Sequence, residues 1–192
     1  MALLSDQVSE KEVEIVRREL AAVMGLDGDV CEFGCYIGTT SVFLARDLMG
    51  SGKTLYLYDS FEGLPEKTRE DQSPAGEQFK AGELLATKAQ LIRNLKSTGA
   101  PMPVIKKGWF SDLTGKDVPE TISFAFLDGD YYHSVKDPLK LIWPRLTPGA
   151  TVVVDDYANE ALPGAAKAVD EWLQGHEARS FHVEASLGII HT

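Results

Sequence analysis

The stretch Asp29-Val30-Cys31-Glu32-Phe33-Gly34-Cys35-Tyr36-Ile37-Gly38 decides how this chain is read. Residues 29–33 form a short strand that runs straight into Gly34. Gly38, Thr39 and Thr40 then open a helix that continues to Leu48. Strand, glycine turn and helix together make the repeating unit of a parallel sheet. Gly34 and Gly38 let the backbone turn tightly and approach a ligand at the helix start. Such turns serve α/β proteins with unrelated ligands, and they also occur as plain tight turns, so this one alone names no ligand.

Working outward, Val13, Val16, Leu20 and Val23 fall near helical spacing, which predicts a helix over residues 8–24 ended by Gly25 and Gly28. Downstream, strands are predicted at 54–58, 102–106, 121–127 and 150–154. Helices are predicted at 78–95, 135–145 and 162–173. Residues 179–191 hold two short strands that turn near Ser186 and Gly188, and so short a link makes them antiparallel. The stretch 60–75 is polar and broken by Gly63, Pro65 and Pro74, which predicts a loop or mobile lid. The fold class is therefore α/β, with a mostly parallel seven-stranded sheet, an antiparallel C-terminal strand and helices on both faces. One domain over 1–192 is expected, with a helical segment at 1–28 and a lid region at 60–82.

The chain has 29 acidic and 19 basic residues and a formal net charge of −10. That field repels phosphates and disfavours a nucleic-acid partner. No apolar run is long enough to span a bilayer. The opening MALLSDQVSEKEVE lacks a basic region followed by an apolar stretch, so a cytoplasmic protein is expected. Cys31 and Cys35 lack a second Cys/His pair at zinc-site spacing and read as two buried thiols.

In an open α/β sheet, ligands bind beyond the carboxyl ends of the strands. Asp59 follows the second strand, where a carboxylate grips ribose hydroxyls in nicotinamide and S-adenosylmethionine enzymes alike. A loop or capping acid also fits that position. Gly108-Trp109-Phe110 follows the third strand; the aromatic rings suit an adenine, or Trp109 belongs to the core. Leu127-Asp128-Gly129-Asp130 and Val154-Asp155-Asp156 close the fourth and fifth strands. Four aspartates at neighbouring strand ends repel one another, so a positive group belongs between them. Oxygen-only ligands suit a hard cation such as Mg²⁺, Ca²⁺ or Mn²⁺. Helix-capping acids facing water are the other reading, although the apolar strand before Asp155 points to burial. His133 lies close by, as a general base or a polar lid residue.

With these residues in view, the chain resembles the macrocin O-methyltransferase family, whose members methylate sugar hydroxyls on macrolides and other natural products. The resemblance rests on Glu32-Phe33-Gly34 with Gly38, Tyr58-Asp59-Ser60-Phe61-Glu62-Gly63-Leu64-Pro65, Lys107-Gly108-Trp109-Phe110, Leu127-Asp128-Gly129-Asp130-Tyr131-Tyr132 and Pro148-Gly149 leading to Val154-Asp155-Asp156-Tyr157. Lys167-Ala168-Val169-Asp170-Glu171-Trp172 fits as well. The resemblance implies a Rossmann-like class I methyltransferase fold, S-adenosylmethionine as cofactor and a divalent cation, usually Mg²⁺. It implies that Glu32, Gly34 and Gly38 line the methionine end of the cofactor, with Cys35, Tyr36 and Thr39 in the same turn. Asp59 would hold the ribose beside Ser60, and Gly108, Trp109 and Phe110 would lie near the adenine. Asp128, Asp155 and Asp156 would hold the metal. Catechol-type enzymes commonly place a lysine shortly after the first of these ligands. Here that neighbourhood is Asp130-Tyr131-Tyr132-His133, which leaves Asp128 or His133 to remove the proton.

The expected partner is a small molecule with hydroxyl groups, a sugar or a catechol-like vicinal diol; a homodimer is left open. A nicotinamide-dependent oxidoreductase shares the glycine turn and Asp59 but leaves the aspartates after the fourth and fifth strands unexplained. A non-catalytic S-adenosylmethionine-binding domain is the third reading.

Overall fold

The computed structural model describes residues 2–76 and 78–192. In chain order the elements are α1 (Glu10–Ala22), β1 (Asp29–Phe33), α2 (Thr39–Asp47), β2 (Leu55–Asp59), α3 (Lys88–Lys96), β3 (Val104–Lys107), β4 (Ile122–Leu127), α4 (Tyr132–Ile142), β5 (Leu146–Val154), α5 (Pro163–Gly175), β6 (Ser180–Glu184) and β7 (Leu187–His191). The seven strands form one sheet in the order β3-β2-β1-β4-β5-β7-β6. The first five are parallel, and β7 pairs antiparallel with both β5 and β6. The chain moves outward from β1 in one direction and then returns to build β4 and β5 on the other side. That reversal opens a crevice between the carboxyl ends of β1 and β4.

Alternation along the strands sorts the core into two layers. Val30, Leu57, Phe124, Phe126 and Val153 face α1, α2 and α3, where Leu20, Leu44 and Leu91 meet them. Cys31, Phe33, Ala125, Leu127, Val152 and Val154 face α4 and α5 and pack on Val135, Leu139, Ala165 and Val169. β4 is buried along its whole length, as befits a central parallel strand covered on both faces. Among the described residues, no helix is long and apolar enough to cross a membrane.

The largest departure from the sequence expectation lies at 78–95. The helix there is only Lys88–Lys96, capped by the Thr87 side chain accepting from the Gln90 N–H at 3.2 Å. Residues 78–87 are irregular because Phe79, Gly82 and Leu84 hold left-handed backbone (φ +59°, +81° and +54°), which a right-handed helix cannot accommodate. Tertiary contacts select that conformation. Leu64 exchanges backbone hydrogen bonds with Gly82 and Glu83, closing the loop at its base. Phe79 and Leu84 then pack with Leu64, Tyr131 and Leu162 in a small core of their own. Two smaller differences concern ends: α4 starts earlier than expected and finishes in a 3₁₀ turn at Trp143–Arg145, and β5 begins at Leu146.

The loop after β2 is fastened at its middle by Asp71, which is 2% exposed. Helix α4 has no side-chain cap of its own at Tyr131. Asp71 supplies one from 61 residues upstream, Oδ1 accepting from the Tyr132 N–H at 2.7 Å. Its Oδ2 accepts from the N–H and hydroxyl of Thr68 at 2.8 and 2.7 Å. Gly164, in the first turn of α5, is required here, because a Cβ would overlap Oδ1 of Asp71. Asp71→Ala strands two backbone donors in a buried position. It is expected to cost about 2 kcal/mol in urea unfolding, whereas a solvated loop acid would show almost no change.

Candidate functional site

The parallel ladder continues one residue past the strand ends. Gly34 N donates to Tyr58 O (2.9 Å), Gly108 N to Asp59 O (3.0 Å), Asp128 N to Phe33 O (2.8 Å) and Asp155 N to Leu127 O (2.8 Å). These bonds line up residues 34, 59, 108, 128 and 155 along one edge of the sheet. A cavity of about 260 Å³ opens on that edge. Gly34, Tyr36, Asp59, Ser60, Gly108, Trp109, Phe110, Asp128, His133 and Asp156 all line it.

Glu32, Cys35, Gly38, Thr39 and Asp155 are not on its walls. Gly34 needs its left-handed backbone (φ +88°) because a Cβ would overlap the carbonyl oxygen of Asp128; what approaches this glycine is the neighbouring strand. Gly38 (φ +91°) makes room for Leu91 of α3, whose Cδ1 would lie 2.5 Å from a Cβ. The Thr39 hydroxyl is 3.0 Å from that of Ser5. Cys35 and Cys31 are buried free thiols, their pKa pushed up mainly by burial.

Asp59 ties the turn down. Its Oδ2 accepts from the N–H groups of Cys35 (2.8 Å) and Tyr36 (3.1 Å), and its Oδ1 from Phe61 N–H (2.7 Å). A carboxylate has about four lone-pair directions, so one is left for a ligand hydroxyl. Across the cavity, Trp109 is half-buried and on the wall, outside the core. Phe110 sets its ring edge-on to Phe33, with centroids 5.5 Å apart.

Carboxylate oxygens of Asp128, Asp155 and Asp156 lie within 4.8 Å of one another. Asp130 is buried beside them and lines the same cavity. Burial, followed by repulsion from its neighbours, raises Asp128 well above the ordinary carboxylate range. Asp130 is raised in the same way, and Asp155 is pushed up to about 8. A cation among three such oxygens relieves both terms, and the all-oxygen donor set suits a hard divalent ion. The backbone here is strained. Asp130 (φ +61°) is the centre of a three-residue turn closed by Tyr131 N–H on Gly129 O at 2.6 Å, and Asp156 has φ +56°. Left-handed backbone at non-glycine residues concentrates at binding sites. Gly129 is needed between the two aspartates, since a Cβ would lie 2.7 Å from the Ser134 carbonyl.

Helix α4 presents His133, Ser134 and Asp137 to the cavity. Asp137 went unnoticed in the sequence, although it lies four residues after His133 and so on the same helical face. Asp130 was visible only as one of four acids. The wall contributed by Phe79, Leu84 and Gln7 had no local signal, because each arrives through the fold of a loop or terminus.

Glu32 sits under α2 beside Ser41. It is 1% exposed, and its Oε2 has no hydrogen-bond partner. An orphaned buried carboxyl oxygen behind the glycine turn fits a ligand carrying a positively charged donor. Burial raises its pKa from 4.5 to about 8, Ser41 opposes the rise, and Asp59 adds to it. Between those two values the folded chain holds a proton that the unfolded chain has released, so stability falls as pH rises through the window. Glu32→Gln removes that loss. In ligand-free protein the melting temperature of the variant minus that of the wild type should grow from about pH 5 to about pH 8. A constant difference by calorimetry would mean that Glu32 titrates normally.

Comparison with known proteins places this geometry. The model of the family described as Macrocin-O-methyltransferase (TylF) matches residues 9–183. The 8-demethyl-8-(2,3-dimethoxy-alpha-L-rhamnosyl)-tetracenomycin-C 4'-O-methyltransferase of Streptomyces olivaceus is 33% identical over 150 residues, covering 73% of this chain and 57% of that protein. The mycinamicin III 3''-O-methyltransferase of Micromonospora griseorubida is 31% identical over 163 residues, covering 79% and 63%. The chain therefore spans less than two thirds of the length of either relative. Among solved structures, the O-methyltransferase NovP superposes with a TM-score of 0.79 at 24% identity, over 94% of this chain and 79% of that one. That likeness is one of fold.

Proposed function

The chain belongs to the macrocin O-methyltransferase family, and on that premise we propose that it transfers a methyl group from S-adenosylmethionine to a hydroxyl of a small molecule with the help of a divalent cation, Mg²⁺ foremost. The acceptor we propose is a sugar or a catechol-like vicinal diol, in keeping with the rhamnosyl-tetracenomycin named for one of the relatives. The observation that carries the proposal is the convergence of Asp128, Asp155 and Asp156 within 4.8 Å of one another, with Asp128 and Asp156 on the wall of the cavity that Gly34, Asp59 and Trp109 also line.

S-adenosylmethionine, when bound, supplies an electrophilic methyl group whose C–S bonding pair returns to sulfur as the methyl passes to oxygen. A divalent cation held by the three aspartates supplies Lewis acidity that lowers the pKa of the acceptor hydroxyl. The protein's own tasks are binding, orientation and the proton. Tyr36 and Gly34, on the cavity wall, would hold the methionine end, with the unpartnered oxygen of Glu32 as an acceptor for the ammonium group. The remaining lone pair of Asp59 would take a ribose hydroxyl, and Trp109 and Phe110 would flank the adenine. The hydroxyl proton goes to Asp128 or to His133, both of which line the cavity. Fixing the oxygen in line with the methyl group supplies much of the acceleration.

Binding and turnover test the proposal separately. S-adenosylhomocysteine should raise the melting temperature, by mass action on the folded state, and NAD should not; stabilisation by NAD alone would overturn the assignment. With Mg²⁺ and a panel of deoxysugar glycosides and catechols, Asp128→Asn and Asp155→Asn should each lose at least about a hundredfold in kcat/KM, because even groups that only orient metal ligands cost 10–100-fold. Full activity of both variants after chelation would exclude the cation.

A further inference from the structure

Asp155 and Asp156 are adjacent in sequence but held from different directions. Asp156 takes a local bond, its Oδ1 accepting from the Asn159 side-chain amide at 2.9 Å. Oδ1 of Asp155 is engaged twice, by the Asp156 N–H at 2.9 Å and by the hydroxyl of Ser186 at 3.4 Å. Ser186 lies 31 residues on, in the tight turn between β6 and β7. Its hydroxyl also donates, in a close hydrogen bond, to Oε1 of Glu12 on α1.

Glu12 is itself immobilised. Its Oε2 accepts both the N–H and the hydroxyl of Ser9 at 2.7 Å, the capping box that starts α1. The single hydroxyl proton is directed at Glu12, and the contact with Asp155 is the long arm of a three-centre arrangement. The rotor that carries it is fixed from the side away from the cavity. A carboxyl group engaged at two points on one oxygen cannot swing, which is how outer groups orient metal ligands.

We propose that Ser186, pinned by Glu12, is a positioning residue that sets the rotation of the Asp155 carboxyl group so that it converges with Asp128 and Asp156 on one cation. This rests on the reading of the three aspartates as a cation site. It also makes the N-terminal segment a working part of that site. Gln7, just ahead of α1, lines the cavity, and Ser5 meets Thr39 at the start of α2.

The test reads metal binding directly, without turnover. Mn²⁺ titrated into the purified, chelator-stripped full chain is followed by the loss of its free-ion paramagnetic resonance signal. Ser186→Ala should weaken Mn²⁺ binding about tenfold, and Ser186→Thr, which keeps the hydroxyl, should restore it to near the wild-type value. Glu12→Gln should shift the affinity in the same direction by a smaller factor. Melting temperatures in chelator should stay within about 2 °C of wild type for Ser186→Ala, so that a general loss of structure is not mistaken for the effect. Wild-type Mn²⁺ affinity in Ser186→Ala overturns the positioning role and leaves the cation site standing. No Mn²⁺ binding by the wild-type chain overturns the cation site and the positioning role together.

Discussion

Where a side chain at residue 34 would begin, the carbonyl oxygen of Asp128 already stands. The two central strands approach so closely at their carboxyl ends that the residue leaving β1 must be a glycine with left-handed backbone. The rest of the site depends on that approach. It carries the hydrogen-bond ladder past the strands and registers the ends of β2, β1, β4 and β5 against one another. Asp59, Asp128 and Asp155 are therefore placed by main-chain bonds at the end of the parallel ladder.

The same approach concentrates negative charge. Aspartates delivered by adjacent strands cannot spread apart, and burial raises the cost of ionising each of them. Asp130 and Asp156 add left-handed backbone on top of that electrostatic burden. Elsewhere among the described residues, several carboxyl groups meet cations: Asp47 with Arg17, Glu184 with Arg18 and Glu171 with Lys136. Strain and unpaired charge thus meet at one edge of the sheet, the pattern of a scaffold that gives up stability where a ligand will bind.

Around that rigid edge, the cavity walls are held by longer reaches of chain. Asp71 joins the loop after β2 to the start of α4, the helix that carries His133 and Asp137. The loop is pinned at its base by Leu64 with Gly82 and Glu83, and at its middle by Asp71. Phe79 lies between those points and, with Leu84, packs on Leu64, Tyr131 and Leu162.

Much of this was legible in the sequence, and what was legible shares one physical character. Strand and helix periodicity, the glycine turn and the acids closing β2, β4 and β5 are local patterns. Parallel topology carries such strand-end residues to one edge without further information. Hence the sheet, its closing antiparallel strand and the gathering of four aspartates at the ends of β4 and β5 followed from spacing, while the choice of Asp128, Asp155 and Asp156 among them came with the family resemblance. What only the tertiary structure decided is whatever depends on contacts between distant segments. Residues 78–87 carry a helical pattern, but pairing with Leu64 and the burial of Phe79 override it. Gly34 read as a turn that lets the backbone approach a ligand; it lines the cavity, but what excludes a side chain there is the Asp128 carbonyl oxygen just past β4. Asp71 carries no local mark of its role, yet it caps a helix 61 residues away. Periodicity is written residue by residue, whereas a long-range cap, a loop core or a pinned hydroxyl exists only once the chain has closed on itself.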